Sequence, residues 1–225
     1  MARASSSLRQ GTPSAPLKCA ILVSGSGSGM VALAEAQQAR VDAPYAVSLV
    51  ISNNPSAPAI GKAKRLGLPT EVIDHRAHPA EGRRQAHETV VLKALKDHNI
   101  EVVVLSGYMR LLSPRFLELW EAPVLNIHPS LLPAFPGAHA HRDVLAAGVA
   151  MTGCTVHLVD EGMDTGLVLD QRPVPVLKGD DENALSERVK FEEHRLYPEV
   201  IENIARGVIV LSHDGRSIVQ DHQGC

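Results

Sequence analysis

The chain predicts an α/β fold, a mostly parallel sheet flanked by helices, with antiparallel strands in its C-terminal part. Three observations lead there. Short apolar runs rich in β-branched residues alternate with longer helical stretches over residues 18–128. Those runs are apolar throughout, as strands covered on both faces are. After Gly148 the pattern changes to two strand-like runs joined by a tight turn, then one long helical stretch.

Residues 18–24 form the first strand, ending in Gly25-Ser26-Gly27-Ser28-Gly29, and a helix follows through Gln38. Tyr45–Ser52 is a strand, 56–66 a helix and 71–73 a short strand. Residues 81–99 make a long helix, 102–106 a very apolar strand, and Pro114–Trp120 a short helix into the strand Val124–His128. A helix start is expected at Ala140. Residues 155–159 and 167–176 read as strands. In 181–206, Leu185, Val189, Leu196, Val200 and Ile204 recur at helical spacing, and Pro198 is expected to kink or split that helix. Residues 208–219 suit a hairpin around Asp214-Gly215. Residues 1–16, with Arg3, Arg9, several Ser and Pro and no acid, are expected to be a disordered tail. Residues 17–225 are then one domain, with a first part (about 18–122), a second part (about 123–207) and a C-terminal hairpin or tail (208–225).

Composition narrows the function. Lys and Arg number 22 against 25 Asp and Glu, a net charge of −3, so no basic excess points to nucleic acid and no like-charge block to a membrane surface. No apolar run approaches the ~18–20 residues of a membrane helix. Cys19, Cys154 and Cys225 have neither zinc spacing nor an even disulfide count, so reduced cytoplasmic thiols are expected. The expected partners are small-molecule substrates, with the chain a monomer or a homodimer.

The most informative segment is Asn126-Ile127-His128-Pro129. Side chains two apart on a strand share a face, so Asn126 and His128 project together while Ile127 turns to the core. Pro129 ends the ladder, having no N–H to give. A carboxamide beside an imidazole on rigid backbone can polarise a carbonyl and move a proton, although a histidine here can also be a hydrogen-bonded core residue. Asp164 lies in a turn flanked by Gly162 and Gly166, where Asp is favoured for turn chemistry alone. Were it to reach His128, it would hold the imidazole charged and order a water. The glycine loop between strand and helix suits a phosphate, or simply a tight turn. It lacks the Gly-Lys of a Walker loop, and Met30 stands at the third glycine position of the dinucleotide pattern. His139 and His141 form an H-x-H near Asp143, but on a helix start without a third ligand, so no metal site is expected.

Together these residues resemble the phosphoribosylglycinamide formyltransferases, the folate-dependent enzymes of purine synthesis. The resemblance covers residues 19–207. It rests on Asn126 to His139 (Asn-Ile-His-Pro-Ser-Leu-Leu-Pro-Ala-Phe-Pro-Gly-Ala-His), Gly153-Cys-Thr-Val-His-Leu-Val-Asp, Asp164-Thr-Gly, Gln171, Ser106-Gly-Tyr-Met-Arg-Leu-Leu, Glu193-His194 and Tyr197-Pro198. It implies a Rossmann-like formyltransferase fold and formyl transfer from 10-formyltetrahydrofolate, as co-substrate and without metal, to the amine of glycinamide ribonucleotide. Asn126, His128 and Asp164 match the family's catalytic trio. Gly27, Ser28 and Gly29 match its phosphate loop, and Glu193 a ribose contact. Met109, Arg110, Leu111 and Leu112 match the folate-pocket loop, with Arg110 toward the glutamate tail; Asn126, Val159 and Asp160 border the same pocket. Arg83, or its neighbour Arg84, matches a further folate-contacting arginine. Two positions depart from the pattern: Gly29 stands where the family loop usually has Asn, and Leu167 where Pro commonly follows Gly166.

Three rivals remain. A formyltetrahydrofolate hydrolase would use the same trio with water as acceptor, but carries an N-terminal regulatory domain, for which the stretch before Lys18 leaves no room. A methionyl-tRNA formyltransferase needs a C-terminal tRNA-binding domain and a basic surface. A non-catalytic folate- or nucleotide-binding relative would have a decayed site, against which the intact trio speaks.

Overall fold

A computed structural model describes residues 7–219. Seven strands form one sheet in the order β3-β2-β1-β4-β5-β6-β7. They are β1 (Leu17–Val23), β2 (Tyr45–Ser52), β3 (Thr70–Val72), β4 (Val102–Leu105), β5 (Val124–His128), β6 (Met151–Leu158) and β7 (Val168–Pro175). The first five are parallel, while β6 and β7 run antiparallel on the β5 edge. The helices are α1 (Ser28–Gln38), α2 (Pro58–Arg65), α3 (Arg83–Asp97), α4 (Pro114–Trp120), α5 (Ala140–Ala147) and α6 (Glu182–Ala205), with a single 3-10 turn at His75–Ala77.

β1 explains why both faces are covered. Leu17, Cys19, Ile21 and Val23 join a core with α1, α2 and α6, while Ala20 and Leu22 join a second core with α3 and α4. The chain winds outward from β1 to β3, then crosses back to β4 and β5. The carboxyl ends of β1 and β4 therefore diverge at a switch in strand order, where a crevice opens.

α6 does not split. It runs 24 residues through Pro198 as one helix. An interior proline costs about 3 kcal/mol or more. Leu196, Tyr197, Val200, Ile201 and Ile204 are all buried beside it, each contributing ~1.5–3 kcal/mol, so packing outweighs the lost bond. β6 begins earlier than expected. Gly153, which weakens the strand signal, is required because a Cβ there would stand 2.0 Å from the Arg172 carbonyl oxygen of β7. The 208–219 segment pairs as a small hairpin, with Leu211 bridging Ile218 and the Val219 N–H donating to the Val210 carbonyl at 2.7 Å.

Residues 7–16, expected to be disordered, lie against the domain. The Leu8 N–H donates to Leu211 O at 2.9 Å and Gly11 N–H to Ala205 O at 2.8 Å. The Arg9 guanidinium pairs with the Glu101 carboxylate and with the carbonyls of Gln10, Ala15 and Pro16. A bidentate fork of this kind orders a polar segment that composition alone reads as loose. The rest of the expected tail, 1–6, and the expected C-terminal segment 220–225 lie outside the described residues.

Candidate active site

A cleft of about 580 Å³ opens at the carboxyl ends of β1, β4 and β5. Its lining takes in the glycine loop, the segment 107–112, the turn 159–164, and Asn126 and His128.

Asn126 and His128 share one face of β5, and Leu125 and Ile127 pack into the core on the other. His128 Nε2 lies 2.8 Å from the Phe135 carbonyl. A carbonyl only accepts, so that nitrogen carries a proton. Nδ1 faces Asp164 Oδ2 at 3.3 Å, with the two side chains only 6% and 13% exposed. Oδ2 also accepts the Gly137 N–H at 2.8 Å. The carboxylate expected to meet the imidazole thus does so.

Two local structures hold this geometry. In the turn after β6, Asp160 Oδ1 accepts the Gly162 N–H at 3.0 Å and the Thr165 hydroxyl at 2.7 Å. Asp164 sits at φ 56°, a left-handed conformation that Asp tolerates better than most residues. The loop after His128 is clamped by buried Thr155. Its hydroxyl donates to Ser130 O (2.6 Å) and accepts from Leu132 N (3.0 Å) and Gln171 Nε2 (2.8 Å). Thr155→Val keeps the shape and deletes these bonds. It should cost about 1–3 kcal/mol in urea unfolding and slow turnover, because the loop carries the Phe135 carbonyl that seats His128.

Residue-pattern reasoning did not single out His157. Register places it opposite Asn126 on antiparallel β6. Its Nδ1–H donates to Leu158 O at 2.8 Å, leaving Nε2 to accept from Asn126 Nδ2 at 3.1 Å. Burial pushes its pKa down, so it stays neutral and acts as an acceptor. One amide hydrogen of Asn126 is thereby fixed, and the other is free for the cleft.

In the glycine loop, Gly27 caps α1 at φ 67° and ψ 31°, and no side chain caps the helix. A Cβ on Gly27 would meet Ala59 Cβ at 2.6 Å, so glycine is required twice over. Glu193 reaches the cleft from α6. Burial pushes its carboxyl up to about 7, against the opposing pull of Lys190. Between pH ~4.5 and ~7 the folded chain therefore holds a proton that the unfolded chain releases, and stability falls as pH rises through that window. Glu193→Gln should remove a penalty of at most about 3 kcal/mol, since part of the side chain faces open cleft. The variant should be more stable than wild type in urea at pH 8, with the gain shrinking toward pH 5.

Met109 and Leu111 are 78% and 59% exposed, and Met163 is 51% exposed. Arg110, Leu112, Val159 and Asp160 also border the cleft. The Met109 N–H is held by Ser24 Oγ at 2.8 Å, and the Leu111 carbonyl by Arg84 Nη2 at 2.8 Å. Arg84 also bonds Glu88, which fixes the N-terminus of α4 through Ser113. Arg83 is turned to the His78 carbonyl at 3.0 Å. Neither arginine lines the cleft. His141 lines it and His139 does not. Among the described residues no group of three His, Cys, Asp or Glu is placed to hold a metal.

A family profile described as formyl transferase matches residues 17–201. The chain belongs to the formyl transferase family. This formyl transferase is 42% identical over 200 residues to the phosphoribosylglycinamide formyltransferase of Mycobacterium tuberculosis, covering 88% of this chain and 90% of that one. It is 41% identical over 199 residues to the trifunctional purine biosynthetic protein adenosine-3 of Bos taurus, covering 88% of this chain and 19% of that protein. The chain thus spans only 14–20% of the length of such trifunctional relatives. Among solved structures, the phosphoribosylglycinamide formyltransferase of Brucella melitensis superposes with a TM-score of 0.79 at 44% identity, over 88% of this chain and 99% of that one. The glycinamide ribonucleotide transformylase 1 of Symbiobacterium toebii gives 0.82 at 39% identity, over 90% and 93%. The mixed seven-stranded sheet is the fold of these formyl transferases.

Proposed function

We infer that this chain transfers the formyl group of 10-formyltetrahydrofolate to the amine of glycinamide ribonucleotide, a step of de novo purine biosynthesis. The carrying observation is the meeting of Asn126, His128 and Asp164 in a cleft that is also lined by the glycine loop and by the exposed apolar side chains Met109, Leu111 and Met163. The names of relatives that this chain nearly spans support the same reaction.

Each group has a role. Gly27, Ser28 and Gly29 present backbone N–H groups to the substrate phosphate, and Glu193 accepts from the ribose hydroxyls. Met109, Leu111, Leu112 and Val159 give a flat, apolar seat for the pterin of the folate. Arg110 forms no ion pair among the described residues and is offered to the folate's glutamate tail, with Asp160 shaping the turn opposite. When the amine attacks the formyl carbon, charge develops on the formyl oxygen. The free Asn126 N–H and the His128 Nδ1–H stabilise it, Nδ1–H being shared with Asp164 at a separation long enough to swing. Asp164 faces His128 Nδ1 at 3.3 Å and orders a water that carries the amine proton toward the departing folate nitrogen.

Hydrogen bonds and proton transfer carry every step, with no metal invoked. The substrates are small molecules, and the chain acts as a monomer or homodimer. Among the described residues no helix is long and apolar enough to cross a membrane. Cys19 and Cys154 are buried and unpaired, which suits a reducing cytoplasm. The test is folate deformylation followed spectroscopically with and without glycinamide ribonucleotide. Turnover that requires the nucleotide supports the reading, and formate release without it overturns it.

A further inference from the structure

A hydroxyl at the end of β4 faces the first turn of α1 across the cleft lining. Ser106 follows β4 and is 7% exposed. Its backbone N–H donates to Leu22 O at 3.0 Å, which pins it beside the strand from which the glycine loop departs. It lines the cleft, yet its hydroxyl makes no hydrogen bond among the described residues. The hydroxyl is therefore available to a ligand oxygen in the cleft.

The hydroxyl stands over the first turn of α1. A Cβ built on Gly29 would lie 2.5 Å from Ser106 Oγ. The N–H groups of Ser28, Gly29 and Met30 have no intrahelical partner, no side chain caps them, and no acid lies in that turn. Three amides, the positive end of an 11-residue helix and one hydroxyl therefore converge on a spot suited to an anion. We propose that the Ser106 hydroxyl binds the substrate's phosphate monoester, replacing the side chain that formyl transferases of this kind usually carry at position 29. The two arrangements compete: a Cβ at 29 would crowd Ser106 Oγ, and the hydroxyl would have to turn away from this spot to make room. The proposal deepens the nucleotide-binding reading given above and rests on it.

The test is a two-site cycle read by direct binding and by kinetics. Ribose 5-phosphate is titrated calorimetrically into the wild type, Ser106→Ala, Ser106→Cys, Gly29→Asn and the double variant Gly29→Asn/Ser106→Ala. Losing a bond to a charged group should weaken binding about 10-fold or more in both Ser106 variants, and Cys keeps the volume. Gly29→Asn alone should also bind weakly, because it collides with Ser106, and the double variant should recover to within a few-fold of wild type. In turnover the loss should appear in KM for the nucleotide, not in KM for the folate. Ser106 variants that bind like wild type, or a double variant no tighter than Ser106→Ala, overturn the proposal. Absence of formyl transfer with weakened ribose 5-phosphate binding in the Ser106 variants would sink the reaction assignment and leave this site standing. Normal transfer with an unchanged nucleotide KM in Ser106→Ala would do the reverse.

Discussion

His128→Ala should slow formyl transfer about 10²–10⁴-fold and leave the fold intact. The size follows from position. The imidazole is the one group in the cleft that touches both the loop carbonyl of Phe135 and the carboxylate of Asp164. Removing it takes away an oxyanion donor and the partner through which Asp164 acts. Alanine leaves a small cavity lined by polar groups that water can fill, so stability should change little. The loss should fall on kcat, because in the proposed mechanism His128 meets the reacting oxygen and not the phosphate or the pterin. Stopped-flow single-turnover measurements separate this from slow product release.

Asp164→Ala should cost about 10²–10³-fold in kcat, and for a different reason. Asp164 is bonded to the Gly137 N–H and faces two histidines, His128 at 3.3 Å and His157 at 3.7 Å. His157 donates its only proton to Leu158, so it offers Asp164 no hydrogen bond; the carboxylate's working partner is His128. Without it, His128 Nδ1 loses its partner, and the water of the proposed relay loses its acceptor. Asp164→Asn keeps the shape and the Gly137 contact, so it should be nearly as slow as Ala. An Asn variant close to wild type would mean that Asp164 only braces the turn.

Much of the site was legible because it depends on one strand. Period-two alternation puts Asn126 and His128 on one face, and Pro129 marks the end of β5, so their pairing needs no tertiary knowledge. The glycine loop was legible for the same local reason. What joins distant segments was not. His157 reaches Asn126 only through the antiparallel register of β6 on β5, which no spacing in the chain encodes. Thr155 reads as an ordinary strand residue until the 130–132 loop is laid against it. Ser106 looks like the last residue of an apolar strand until Gly29 is seen beneath it. Arg9 and Glu101 are far apart in sequence, so the ordering of 7–16 was hidden by a composition that suits a loose tail. Pro198 reads as a helix breaker by propensity, yet α6 runs through it as one helix, because the burial around it decides the outcome.

In the mechanism proposed above, His128 and Asp164 act as one unit on one reacting carbon. Single-turnover rates of the wild type, His128→Ala, Asp164→Ala and the double variant decide it. Groups acting as a unit are strongly non-additive, so the double variant should be no more than about 10-fold slower than His128→Ala. A double variant slower by the full product of the two single losses would contradict it.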